Sequence, residues 1–210
     1  MNLTEMRALV RRDLHDEDVT DYRWSDSEID RQTARALKEF SVAIPQEQKV
    51  ILATTAGSRE ISIASLTGRV RVEAVEYPVG SYPPDFQRFA FWQEVLTILG
   101  QNVPDGSDCC IYYGRLHTLD AGNSTIPEPY EDLVAAGAAG YAALQMGGYV
   151  IGRVNTGGLS TPADWTAWAR DQLAFFHGEL KRLGKSHRLR AHQLYRPSAM
   201  PVSRATDGGP

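Results

Sequence analysis

The sequence predicts an α+β protein: a discontinuous helical bundle of about four helices, a small antiparallel β subdomain inserted into it, and an extended C-terminal tail. Three observations lead there. Apolar residues recur at helical spacing only toward the two ends of the chain. Charged and apolar residues alternate in the middle, most strictly from Arg69 to Tyr77. Beyond the last helical stripe the chain turns basic, with seven Lys/Arg against the single acid Asp207 between Lys181 and Pro210. The first 180 residues hold fifteen basic and twenty-five acidic groups, so a body of net charge −10 carries a tail of +6.

The first helix places Leu3, Met6, Val10 and Leu14 on one face, with Arg7, Arg11 and Arg12 opposite; Asn2 and Glu5 are spaced as a capping box. His15 to Asp21 is acidic and aperiodic and reads as a loop. Ser25 as N-cap with Glu28 at the third helical position opens a second helix, whose stripe is Ile29, Thr33, Leu37, Phe40 and Ile44 and which stops at Pro45.

After Pro45 the period falls to two. Lys49 to Thr54 and Arg59 to Ala64 read as strands joined by a hairpin-like turn, Ala56-Gly57-Ser58. Arg69 to Tyr77, Phe86 to Trp92, Glu94 to Leu99 and Asp108 to Leu116 complete a set of about six short strands, the pattern of a small sandwich or barrel.

Helix returns after Pro129, with Glu131 and Asp132 in its first turn and an Ala/Gly-rich run from Leu133 to Met146 suited to very close packing. Gly147-Gly148 and Asn155 to Gly158 read as breaks. Thr161-Pro162 opens a last helix with the stripe Trp165, Trp168, Leu173, Phe176, Leu180 and Leu183, for which Gly184 is a natural stop. The predicted organisation is residues 1–48 helical, 49–126 β-rich insert, 127–184 helical, and 185–210 a basic arm, the two helical parts forming one core.

Length and a 42% hydrophobic content suit one packed core with an appended subdomain. The start Met1-Asn2-Leu3-Thr4-Glu5 has no basic-then-apolar signal pattern, and no apolar run approaches the roughly 20 residues a membrane span needs. A cytoplasmic site of synthesis and no membrane partner are therefore expected. The two cysteines, Cys109 and Cys110, are neighbours on a strand and point to opposite faces, so they read as reduced, packed thiols.

No catalytic, cofactor or metal motif is present. The five histidines include no i, i+4 helical pair, and His117 reads as a strand-end residue making a structural hydrogen bond. No nucleophile elbow occurs, and the glycine pairs lie outside any strand–Gly-rich-loop–helix unit. The tail admits three readings. It is a solvated basic extension, or it orders on a partner through Leu189, Leu194 and Tyr195 among Arg188, Arg190 and Arg196. The third is nucleic-acid binding through its cations, against which the acidic body argues.

Three stretches carry a resemblance: Val10 to Asp16, Tyr22-Arg23-Trp24-Ser25-Asp26-Ser27-Glu28-Ile29-Asp30, and Ala36 to Ser41. Together they resemble the start of tailed-bacteriophage head-to-tail adaptor proteins, in which a short helix and a Trp-Ser/Thr-Asp step lead into a long helix. Tyr130 to Met146 and Trp165 to Leu183 match the later helix pair, and the similarity extends over the insert, including Tyr77 to Pro84.

The resemblance implies a structural virion protein without enzymatic activity or cofactor, located in the neck between capsid and tail and assembled in the host cytoplasm. Such proteins form a homo-oligomeric ring of about twelve copies. The ring docks beneath the portal, extends the DNA channel without sequence-specific DNA binding, and offers a platform to the next neck or tail protein. The portal-docking arm would then be Arg188, Leu189, Arg190, Leu194, Tyr195 and Arg196. An acidic channel wall would let DNA slide, because fewer lysine–phosphate contacts hold it. The alternative is a nucleic-acid-binding module acting through the basic C-terminal tail.

Overall fold

The computed structural model describes residues 1–100, 102–150 and 162–194. They form an α+β fold of two compact units, Met1–Gln46 with Leu116–Lys185, and Glu47–Arg115 with the chain from Ser186 onward.

The first unit contains helices α1 (Leu3–Asp13), α2 (Asp26–Ala43) and α3 (Glu131–Val150), and the larger part of α4 (Pro162–Leu194). Both predicted capping boxes close: Asn2 and Glu5 exchange side-chain and backbone bonds at the start of α1, and Ser25 and Glu28 do so at α2. Each box satisfies N–H groups that a helix start leaves without intrahelical partners. Met6, Val10, Trp24, Ile29, Phe40, Val134, Ala138 and Phe176 meet in one buried core, so the two ends of the sequence build a single helical unit.

Glycine lets α3 and α4 approach closely. A Cβ on Gly137 would stand 2.9 Å from three ring atoms of Phe176, and one on Gly140 would stand 3.0 Å from Leu173. The small-residue run therefore packs within its own subunit.

The second unit holds two antiparallel sheets over a core that includes Ile61, Ile63, Val75, Leu96, Ile98 and Ile111. One sheet has the order β1 (Gln46–Ala53), β7 (Asp108–Arg115), β3 (Arg69–Glu76), β4 (Phe86–Gln87). The other has the order β2 (Glu60–Ser62), β6 (Val95–Ile98), β5 (Phe89–Trp92).

Several expectations are corrected. β1 and β2 do not form a hairpin: β1 lies beside β7, and β2 pairs with β6, so the turn at Gly57 (φ +83°) carries the chain from one sheet to the other. Phe86 to Trp92 is not one strand. It divides at Arg88, because Phe86 and Gln87 pair with β3 while Phe89 to Trp92 pair with β6.

Residues 116–126 group with the helices instead of the insert. There the Leu3 amide donates to the Asp120 carbonyl (2.9 Å), and Ile126 is buried in the helical core. Gly147-Gly148 does not break α3, which runs on to Val150.

Nor does Gly184 stop α4, which continues to Leu194, so the first ten residues of the expected extended arm are helical. Gly184 serves a different purpose. It is buried where a Cβ would stand 3.4 Å from the Ala43 carbonyl oxygen, so its smallness admits the end of α2.

Candidate assembly site

The two earliest stretches of the resemblance, around Arg11–Asp16 and Tyr22–Asp30, meet at one corner of the helical unit. α1 ends with His15 in the left-handed region (φ 51°), its amide donating to the Arg12 carbonyl while the Asp16 amide donates to that of Arg11. This pair of bonds is the Schellman termination. It turns Asp16 back beneath the helix it has just left.

The buried Asp16 carboxylate accepts from Arg11 Nη1 at 2.6 Å and from the Arg23 amide at 2.7 Å. Arg11 Nη2 also donates to the Trp24 carbonyl at 3.0 Å and to Asp26 at 2.8 Å, and its guanidinium lies 3.5 Å from the Tyr22 ring centre. Arg11 holds the Asp26 carboxyl below its ordinary range, chiefly through that hydrogen bond. Arg7 grips Asp30 through two bonds of 2.6 Å.

Trp24 is fully buried at the centre of the corner. Its indole N–H donates to the Ala142 carbonyl at 3.2 Å, and its ring meets Trp165 edge-on with centroids 5.7 Å apart. One tryptophan thus joins α2 to α3 and α4. The acidic segment predicted as a plain loop supplies Asp16, the buried counter-ion; its position five residues after Arg11 across a helix end is the only trace of this in the sequence.

Beside this corner, α1, α3 and α4 enclose an open groove of about 760 Å³. Leu133, Trp168, Phe175 and Leu183 give it an apolar floor, while Arg12, Asp13, Asp132, Glu179 and Arg182 edge it. Arg182 is engaged with Glu179 at 2.7 Å. The Asp13 carboxyl is pushed up first by burial and then by the neighbouring charge of Asp132, with Arg12 and His15 opposing. The groove is therefore an open trough of mixed polarity.

The arm residues are dispersed along the helix and beyond it. Arg188, Leu189, Arg190 and Leu194 belong to α4, with Arg188 exposed; Tyr195 and Arg196 lie outside the described residues. Just before them His187, 7% exposed, is wedged between Arg71 Nη2 at its Nδ1 (2.5 Å) and Glu47 Oε1 at its Nε2 (3.1 Å). Guanidinium nitrogens only donate, so Nδ1 accepts and Nε2 carries the proton toward Glu47. Arg71 also pairs with Glu73. The arm therefore begins from an anchored histidine.

Other titratable groups are structural. His117 is buried, with Nδ1 2.7 Å from the Thr125 carbonyl and Nε2 3.0 Å from that of Ile44, and Phe40 lies against its ring. Cys109 and Cys110 are buried free thiols; desolvation pushes Cys109 up to about 11 and raises Cys110 as well, which removes thiolate reactivity at neutral pH. The Tyr141 hydroxyl joins Glu39 at 2.7 Å to His177 at 3.0 Å. Burial and Glu39 push it up to about 12, so it acts as a hydrogen-bond donor locking α2, α3 and α4.

Among the described residues no group of three or more His, Cys, Asp or Glu converges as a metal site, and no helix is long and apolar enough to cross a membrane. The chain matches no protein-family model and no curated protein by sequence.

Proposed function

We propose that this chain is a structural virion protein of tailed bacteriophages, a head-to-tail adaptor. Copies form a ring beneath the portal, continue the DNA channel and present a platform to the next neck or tail protein. The observation that carries the reading is the corner built by Arg11, Asp16, Trp24 and Asp26. Four of the positions on which the resemblance rests are buried or bonded to one another there.

The charge division fits the same role. An acidic body, in which twenty-five acids outnumber fifteen basic groups, repels passing DNA on balance. The basic residues lie on the end of α4 and beyond it, where Arg188, Leu189, Arg190, Leu194, Tyr195 and Arg196 form the portal-docking arm. Many weak arms acting together hold a ring firmly. The chemistry is recognition, with no substrate turned over.

Cryo-electron microscopy of purified tailed particles that contain this chain tests the reading. The expected result is a ring of its density between portal and tail. Particles that lack the chain yet remain tailed and infective would overturn it. The arm is tested by removing residues 188–210, a cut that takes away all six arm residues and spares the buried His187. The shortened protein should stay folded and lose co-sedimentation with portal-bearing heads. Tight DNA binding by the isolated protein that falls steeply with salt would instead support the nucleic-acid-binding alternative.

A further inference from the structure

We propose that successive copies of this chain join head to tail, the β5–β6 hairpin of one copy seating in the α1–α3–α4 groove of the next. The inference gives the adaptor reading its ring contact and rests on that reading only for ring closure.

The hairpin has an unusual outer face. Trp92 lies opposite Val95 and Ala90 opposite Thr97, and the Leu99 amide bonds to the Arg88 carbonyl at 2.7 Å as a third rung. Alternation puts these three cross-strand pairs on one face. Leu96 and Ile98, on the opposite face, are buried in the core of their unit. The outer face is nevertheless nearly as apolar as the inner one: Trp92 is 80% exposed and Leu99 54%, with Arg88 the one charge among the six.

That face is displayed on an ordered support. Gln93 at the tip takes the left-handed region (φ 52°), which a non-glycine residue enters at some cost. The Arg69 guanidinium fixes it from below, donating to the Gln93 carbonyl at 3.3 Å and to that of Ile63 at 3.0 Å, and pairing with Glu94 at 3.3 Å. A tip already fixed loses little freedom on docking, and a projecting tryptophan is the side chain most often found to dominate an interface.

The groove complements this face in size, polarity and charge. Along α4 its lining runs from Trp168 to Leu183, about 22 Å of helix. The five residues from Arg88 to Trp92 extend roughly 13–16 Å, so the hairpin fits within it. Phe175, 57% exposed on the floor, offers an aromatic surface to Trp92.

Three acids edge the groove against two arginines, and Asp132 has no ion pair among the described residues. Arg88 likewise has none, and it supplies the missing cation. Hairpin and groove are different surfaces. Joining them leaves a free hairpin at one end and a free groove at the other, so the contact repeats until a ring closes or a filament grows.

Sedimentation of the full chain over a concentration series tests the proposal. Assemblies larger than dimers are expected. Trp92→Ala and Phe175→Glu should each weaken association about 30-fold or more, the signature of an interface hot spot, while circular dichroism stays unchanged. Arg88→Glu should weaken it too, and Asp132→Arg should restore association when combined with Arg88→Glu. Mixing Trp92→Cys with Phe175→Cys protein should give a cross-linked pair, whereas Val19→Cys in place of Phe175→Cys should not.

A wild-type protein that stays monomeric and gives no such cross-link overturns the proposal. So does assembly that stops at a symmetric dimer or is indifferent to Trp92→Ala. Co-sedimentation with portal-bearing heads is measured separately. If it persists in variants that no longer associate, the hairpin contact is not what assembles the chain on the portal, while the adaptor reading stands.

Discussion

The two units handle their apolar residues in opposite ways. The helical unit draws Trp24, Phe40 and Phe176 fully inside, then fastens its corner with a buried ion pair and two capping boxes. The β unit has the smaller core and leaves Tyr82, Trp92 and Leu99 in solvent. Both use arginine to brace a turn, but Arg11 does so in the interior and Arg69 beneath an exposed tip. The helical unit hides most of its large aromatics, with Phe175 the exposed exception, whereas the β unit carries an exposed tryptophan on an ordered tip.

The strongest blow to this contrast falls at Arg11. Arg11→Ala strands the Asp16 carboxylate in the interior and should lower helical-unit stability by about 3–5 kcal/mol, read by denaturant unfolding. A loss near zero would mean that the corner is held by something else.

Two glycines in α3 sharpen the picture. Gly137→Ala drives a methyl group into the Phe176 ring and should cost about 1–3 kcal/mol. Gly148→Ala meets open space and should stabilise by about 0.5–1 kcal/mol. Thermal melts of the two variants should therefore move in opposite directions.

In the β unit, Asp105 is held down to about 2 by the Tyr77 hydroxyl, then by the Ser107 side chain and amide. A depressed carboxyl stabilises the folded state above its ordinary value near about 4 and loses that contribution as pH falls toward its folded value. The stability difference between wild type and Asp105→Ala should shrink over that interval in acid. Least of all, Trp92→Ala should change folding stability by no more than about 0.5 kcal/mol, because the ring is already in water. A large loss would make Trp92 a core residue and remove the contrast.

What the sequence disclosed was local. The signals at Asn2/Glu5, Ser25/Glu28 and Pro45 act within a few residues, and each marks the helix end it predicts. The alternation from Arg69 to Tyr77 marks β3 for the same reason.

Long-range partnership was hidden. Nothing near Lys49 announces that β1 lies beside β7, more than fifty residues away, so a turn that looked like a hairpin misled. Gly184 carries two meanings, helix stop and close contact, and only the nearness of Ala43 selects the second. The groove drew on three helices at once, so its lining had no contiguous signature. Trp24 is visible in the sequence only as part of a short pattern, while its bond to Ala142 spans 118 positions and belongs to the folded chain alone.

That bond has a consequence for biosynthesis. The helical core needs Trp24 and Phe40 from early in the chain and Phe176 and Leu180 from late in it. On a ribosome the first two helices gain their core partners only when α3 and then α4 have emerged. The stretch Glu47–Arg115 is continuous and can fold while they wait, since domains form as units during synthesis. The nascent chain can therefore form its sheets before its bundle is complete.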